Sequence, residues 1–262
     1  MREMTSTTSK PKTDPDLYQY VLRQADDTMI LCQRLCQWVA KAPELEEDIA
    51  LANIGLDLLG KSRSLYAYAA ELTDQTVSED DLVFMRNERE WVNCRLVERP
   101  NGNFADTIAR QAFFDLWHVE VLKQQVDSSD ETLAAVAAKS VKEATYHVRH
   151  SSGWVRRLGD GTDLSASKMQ RAIDDCWPDI YELFEMDELA KDMLDRGVGA
   201  DLDSIKTVWF DNVESLLSEA KLVRPEDGFG ATGGRSGLHT QDMGYLLAEM
   251  QILPRSMPGC TW

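Results

Sequence analysis

The residues best suited to chemistry are ionisable groups set into apolar helical stripes. In the stretch 43–63, Asn53, Asp57, Gly60 and Arg63 interrupt apolar positions at Leu45, Ile49, Ala52, Leu56, Leu59, Tyr66 and Ala70. That recurrence is close to the 3.6-residue helical period and marks these residues as the expected buried face. Asp27 borders the apolar face of an earlier helix. Asp115 and His118 stand three apart on a later one, and Glu143 and His147 four apart on the next. Carboxylates and imidazoles inside a helix bundle are the ligand types of a dinuclear iron centre. Such a centre takes one Glu from each of two helices and a Glu-x-x-His pair from each of the other two.

The spacing needed for that centre is missing. No Glu-x-x-His occurs in the chain. Asp115-Leu116-Trp117-His118 has a shorter acid, and Glu143-Ala144-Thr145-Tyr146 puts a phenol where the imidazole belongs. His147 is rotated a further ~100° around the helix. Two readings stand. In one, Asp27, Asn53, Asp57, Arg63, Asp115, His118, Glu143 and His147 form a metal-free network inside the bundle, because buried polar groups must find partners. In the other, the chain is a divergent di-iron oxidase or oxygenase with Asp27, Asp57, Asp115, His118, Glu143 and His147 as ligands. The ligand arithmetic favours the network.

The elements that must position these residues are helices. Amphipathic patterning predicts helices over about 16–41, 43–73, 81–98, 104–126, 131–158, 165–177, 179–186, 202–222 and 240–253. Pro43 suits a first helical turn, with Glu44, Glu46, Glu47 and Asp48 at the positive end of the helix dipole. Asn103 and Asp106 read as a capping box, as do Ser128 and Glu131, and Ser165 as a cap. The helix 104–126 is apolar nearly all round, so it is either central or covered by a partner chain. No strand, repeat or low-complexity tract is evident. The expected fold is all-α, a four-helix core with accessory helices. Residues 1–16 read as a disordered, Ser/Thr/Lys/Pro-rich extension without an apolar core, and 17–262 as a single domain.

Composition narrows the partners. Formal net charge is -17, and 43% of residues are hydrophobic. A surface this acidic repels nucleic acid and anionic membranes. Five cysteines, an odd number without paired metal spacing, point to the cytoplasm; Cys32 and Cys36, one turn apart, read as small core residues. The Gly-rich stretch 224–237 lacks the Lys-Ser/Thr ending of a phosphate loop and reads as an ordered surface loop or a docking segment.

Four runs carry a family resemblance: 42–60, 99–111, 142–147 and 234–240. They resemble the C subunits of bacterial phenylacetyl-CoA epoxidases, and the likeness extends from about Leu17 to Trp262. The resemblance implies a ferritin-like fold without an iron site and a non-catalytic, structural role. The catalytic A subunit would hold the di-iron centre and insert one oxygen atom into the ring of phenylacetyl-CoA. NADPH, FAD and an Fe–S centre would belong to the reductase, and a B subunit would complete the assembly; none of these cofactors would bind this chain. The resemblance further implies an approach to the coenzyme A part of the substrate. By position that contact falls on Glu90, Trp91, Val92 and Asn93, and on Lys191, Asp192 and Met193.

Overall fold

The computed structural model describes residues 13–260. Ten α-helices with short 3-10 turns make up its regular structure, and no strand occurs among the described residues. Four helices are long: α1 (Pro15–Cys36), α2 (Leu45–Glu71), and, after the short α3 (Glu79–Phe84) and α4 (Arg95–Glu98), α5 (Phe104–Gln125) and α6 (Glu131–Gly159). α1 lies along α2, α5 lies along α6, and α2 meets α6. The result is an all-α, ferritin-like bundle. The accessory helices are α7 (Asp163–Cys176), α8 (Glu188–Asp195), α9 (Leu202–Glu219) and α10 (Gln241–Ser256). No helix among the described residues is long and apolar enough to cross a membrane.

Local chemistry accounts for most of the boundaries. Asp14 caps α1 by accepting from the Leu17 N–H, and Pro15 opens the helix. The expected extension over 1–16 thus lies outside the described residues for 1–12, while Pro15 and Asp16 already belong to α1. Asn103 and Asp106 form both bonds of the expected capping box on α5. α5 is buried along most of its length, with α4, α6, α7 and α9 around it. It is therefore the central helix. Phe113 on α5 meets Trp177 and Trp209 edge-on, and Trp209 Nε1 donates to the Phe113 carbonyl at 2.9 Å. This ties α9 to the bundle.

Three local expectations are corrected. Asp130, not Ser128, caps α6; the Ser128 hydroxyl donates to the Val198 carbonyl instead. Likewise Thr162 caps α7, with Ser165 as its reciprocal partner three residues on. The stretch 81–98 is not one helix. Between α3 and α4 the chain is largely extended, so that the Val92 N–H donates to Asp26 at 2.9 Å and the Cys94 N–H to Asp27 at 2.7 Å. An uninterrupted helix would consume those donors in its own ladder.

The largest correction concerns the phase of α2. Its buried residues are Leu51, Ile54, Gly55, Leu58, Lys61, Ser62, Leu65, Tyr66 and Ala69. Leu45, Ile49 and Leu56, expected inside, are exposed. α2 is apolar on two faces, and a period of 3.6 cannot choose between them. Packing against α1 selects the stripe that runs along the middle and end of the helix.

Candidate functional site

The bundle interior holds two groups of polar side chains. The first lies among α2, α5 and α6. Lys61 projects from the buried stripe of α2 and places Nζ 2.5 Å from His118 Nε2 on α5. Burial brings the Lys61 amine down to about 7, against the field of Asp27, and burial beside Lys61 pushes His118 well below the usual imidazole range. His118 is therefore neutral at physiological pH. The lysine donates to Nε2, and Nδ1 carries its hydrogen without a partner. One turn earlier on α5, Asp115 accepts from Gln111 Nε2 at 2.6 Å and from the Ser151 hydroxyl on α6 at 2.8 Å. Burial pushes its carboxyl up to about 6, in spite of those bonds and of His147 nearby. His147 Nε2 stands 3.0 Å from Asp57 Oδ2 at the α2–α6 margin. Glu143 lies close enough to Asp57 for burial and that neighbouring charge to raise its carboxyl.

The second group fastens the segment after α3 and the C-terminal third to α1. Asp26, fully buried, is paired with Arg86 through both carboxylate oxygens and accepts from Tyr66 Oη at 2.6 Å. Asp27 is held by both terminal nitrogens of Arg235, at 2.9 and 2.8 Å. Burial works against the Arg235 charge, but Asp27 overrides it and raises its pKa. Bidentate Arg–carboxylate geometry is among the strongest pairings available to a protein interior. Arg235 comes from the Gly-rich stretch expected to lie on the surface. That stretch is pinned: Glu182 accepts from the backbone N–H groups of Gly233, Arg235 and Arg95. Glu98 likewise accepts from His239 Nδ1 at 2.6 Å and from the Thr240 N–H at 2.7 Å. A side chain at Gly234 would place its Cβ 2.3 Å from the Asn93 carbonyl, so only glycine fits there.

The expected network is therefore only partly assembled. Asp57, Asp115, His118, Glu143 and His147 gather among α2, α5 and α6, whereas Asp27 belongs to the Arg235 pair. Asn53 and Arg63 fall outside: both are exposed, and Arg63 pairs with Glu79 at 2.8 Å. They lie on the outer face of α2 for the reason that turned Leu45 and Ile49 outward. Of the Cys32–Cys36 pair expected in the core, Cys32 is buried and Cys36 is exposed. Among the described residues no cluster of three or more His, Cys, Asp or Glu is placed to hold a metal ion.

Of the residues expected near a coenzyme A thioester, Trp91, Asn93 and Met193 are interior. Trp91 packs under the Arg86 guanidinium, 4.3 Å from the ring centre, and Asn93 Nδ2 donates to Glu98. Glu90, Lys191 and Asp192 are exposed, and Val92 is half-buried.

A family model described as "Phenylacetic acid catabolic protein" matches residues 1–262. The chain belongs to that family. It is 49% identical over 246 residues to the protein of Escherichia coli strain K12 named as the C subunit of 1,2-phenylacetyl-CoA epoxidase, and the match covers 94% of this chain and 99% of that relative. In this family member the residues that sequence patterning missed are Lys61, Asp26, Arg86 and Arg235. Lys61 had a readable signal, since it continues the spacing of Leu51, Ile54 and Leu58. Arg235 had none, because its partner is 208 residues away.

Proposed function

We propose that the chain is a non-catalytic, structural subunit of a cytoplasmic phenylacetyl-CoA epoxidase. The Escherichia coli relative bears the name of that complex's C subunit, and near-complete coverage supports the same place for this chain. The observation that carries the non-catalytic part is the chemistry of the bundle centre. The residues there do not suit a dinuclear iron site. The group facing His118 is the amine of Lys61, and Asp26 and Asp27 are each occupied by an arginine. Asp115 is engaged by an amide and a hydroxyl, and burial favours its protonated form. A carboxylate already neutralised by a buried guanidinium is a poor metal ligand, since coordination would strand the arginine charge.

In this reading the di-iron centre, the flavin, the Fe–S centre and the NADPH site belong to other subunits. This chain's contribution is a rigid helical surface that stabilises the catalytic subunit. A contact with the coenzyme A part of the substrate would use the exposed Lys191 and nearby backbone groups, since the carboxylates of Glu90 and Asp192 repel phosphates and Trp91 and Asn93 are interior.

Metal analysis of purified, iron-supplemented protein tests the proposal. The expected result is no stoichiometric iron on the isolated chain and a stable complex with the co-expressed catalytic subunit. About two irons per chain would overturn it in favour of a divergent di-iron enzyme.

A further inference from the structure

Two sulfurs on α1 have no part in the proposed function. Cys32 is 4% exposed, whereas Cys36, one helical turn on, reaches solvent. Their Sγ atoms stand 4.0 Å apart in a thiol–thiol hydrogen bond. All five cysteines are free, and among the described residues no other two are joined in this way. Cys94 and Cys176 are buried, and burial pushes both thiols up, Cys176 to about 11. Such thiols are inert. The remaining one, Cys260, is exposed near the C-terminus.

The hydrogen bond gives the two sulfurs different characters. Together with burial it pushes the Cys32 thiol well up, so Cys32 keeps its proton. The same bond draws Cys36 down to about 7. A nucleophilic sulfur that reaches solvent thus has a protonated thiol directly behind it. That is the arrangement of an attacking and a resolving cysteine.

The backbone lets the pair close. Cα atoms one helical turn apart stand about 6.2 Å from each other, inside the ~4.4–6.8 Å range of disulfides. The sulfurs must approach by about 2 Å. In mid-helix the ladder on both sides would resist that movement. Cys36, however, is the last residue of α1, and the chain there has already changed to i→i+3 bonds. The Trp38 N–H donates to the Leu35 carbonyl at 2.9 Å and the Val39 N–H to the Cys36 carbonyl at 3.2 Å. Across the α1–α2 contact lies Gly55, where an added Cβ would be 3.9 Å from Cys36 Sγ. No side chain at that position of α2 holds the sulfur in place.

We propose that Cys32 and Cys36 form a peroxide-reactive dithiol. The Cys36 thiolate attacks one oxygen of the peroxide. An S–O bond forms, the O–O bond breaks, and the departing hydroxide takes up a proton and leaves as water. The Cys32 sulfur then attacks the Cys36 sulfenic acid. An S–S bond forms, the S–O bond breaks, and the Cys32 proton leaves with the oxygen as a second water. The peroxide gains the two electrons that the dithiol loses. The disulfide protects Cys36 from irreversible oxidation to the sulfinic acid, and a thiol reductant restores the pair. This chemistry stands apart from the subunit reading, which supplies only a source of oxidant: an oxygen-activating partner that reduces O2 by two electrons without transferring it releases hydrogen peroxide.

The test treats the purified full chain near pH 7 with a small excess of hydrogen peroxide, blocks the remaining thiols, and maps the peptides by mass with and without dithiothreitol. The expected product is one intramolecular Cys32–Cys36 disulfide, lighter by two hydrogens and reversed by dithiothreitol. Cys32→Ala removes both the resolving thiol and its hydrogen bond. Cys36 is then expected to react about threefold or more slowly and to end as the sulfinic acid, heavier by two oxygens. Cys36→Ser is expected to leave Cys32 reduced, because burial keeps the peroxide from it. Circular dichroism checks that each variant keeps the fold. Sulfinic acid on Cys36 of the wild-type chain in place of the disulfide would overturn the proposal. So would a disulfide that forms only in urea, or one that joins Cys36 to Cys260. Equal Cys36 oxidation rates in the wild-type chain and the Cys32→Ala variant would overturn the role given to Cys32.

Discussion

Replacing Lys61 with Met probes the centre of the bundle. Lys61 is 5% exposed, and burial brings its amine from 10.5 to about 7. Below that pH the folded protein holds a desolvated ammonium, which costs about 4–5 kcal/mol at about 1.4 kcal/mol per pH unit. Methionine has a similar length and no charge, so it removes this cost. It also removes the donor to His118 Nε2, and an unsatisfied buried acceptor costs about 1–3 kcal/mol. The variant is therefore expected to be more stable near pH 6, by about 2 kcal/mol. The pH dependence discriminates more sharply than the net value. Between pH 7 and 10.5 the unfolded chain keeps a proton that the folded chain has released. Wild-type stability must then rise with pH relative to the variant, by about 1.4 kcal/mol per unit. Urea denaturation of both proteins between pH 6 and pH 9, at constant ionic strength, gives the difference curve. It should be flat at the acid end and climb above about pH 7. Parallel curves would refute the argument, because they would mean that Lys61 keeps an ordinary pKa in the fold.

Other consequences follow from the same geometry. Arg235→Ala should leave the Asp27 carboxylate buried without its cation, at a cost of about 3–5 kcal/mol in chemical denaturation. Limited proteolysis should then cut within 224–237, since that stretch loses its deepest anchor. Arg63→Ala, by contrast, should not move the denaturation midpoint measurably, because its pair with Glu79 is exposed. His239 should titrate above 6.5: burial opposes its charge, but Glu98 outweighs burial and raises the pKa. The stability from that pair is present in full below 6.5 and is lost as pH rises through the folded value. An NMR titration of the His239 ring with a midpoint below 6.5 would contradict this.

The sequence by itself determined the fold class and the family. Long amphipathic stretches and the Asn103–Asp106 box act within a few residues, so they are readable without tertiary structure. The missing Glu-x-x-His spacing was equally local, and it already counted against a dinuclear iron site. The central place of α5 was open between two outcomes, and packing decided it. What only the tertiary structure decided depended on contacts distant in sequence. α2 has two apolar faces, and only the position of α1 shows which one is inside. That choice moved Asn53 and Arg63 to the surface and brought Lys61 to the centre. The carboxylates Asp26 and Asp27 found arginines 60 and 208 residues away. No local periodicity encodes such pairings, because they arise when the segment after α3 and the Gly-rich stretch each fold back onto α1. The outer face of α2 follows from the same fact: a helix that looked ready for one core has a second apolar side, and the fold leaves that side open.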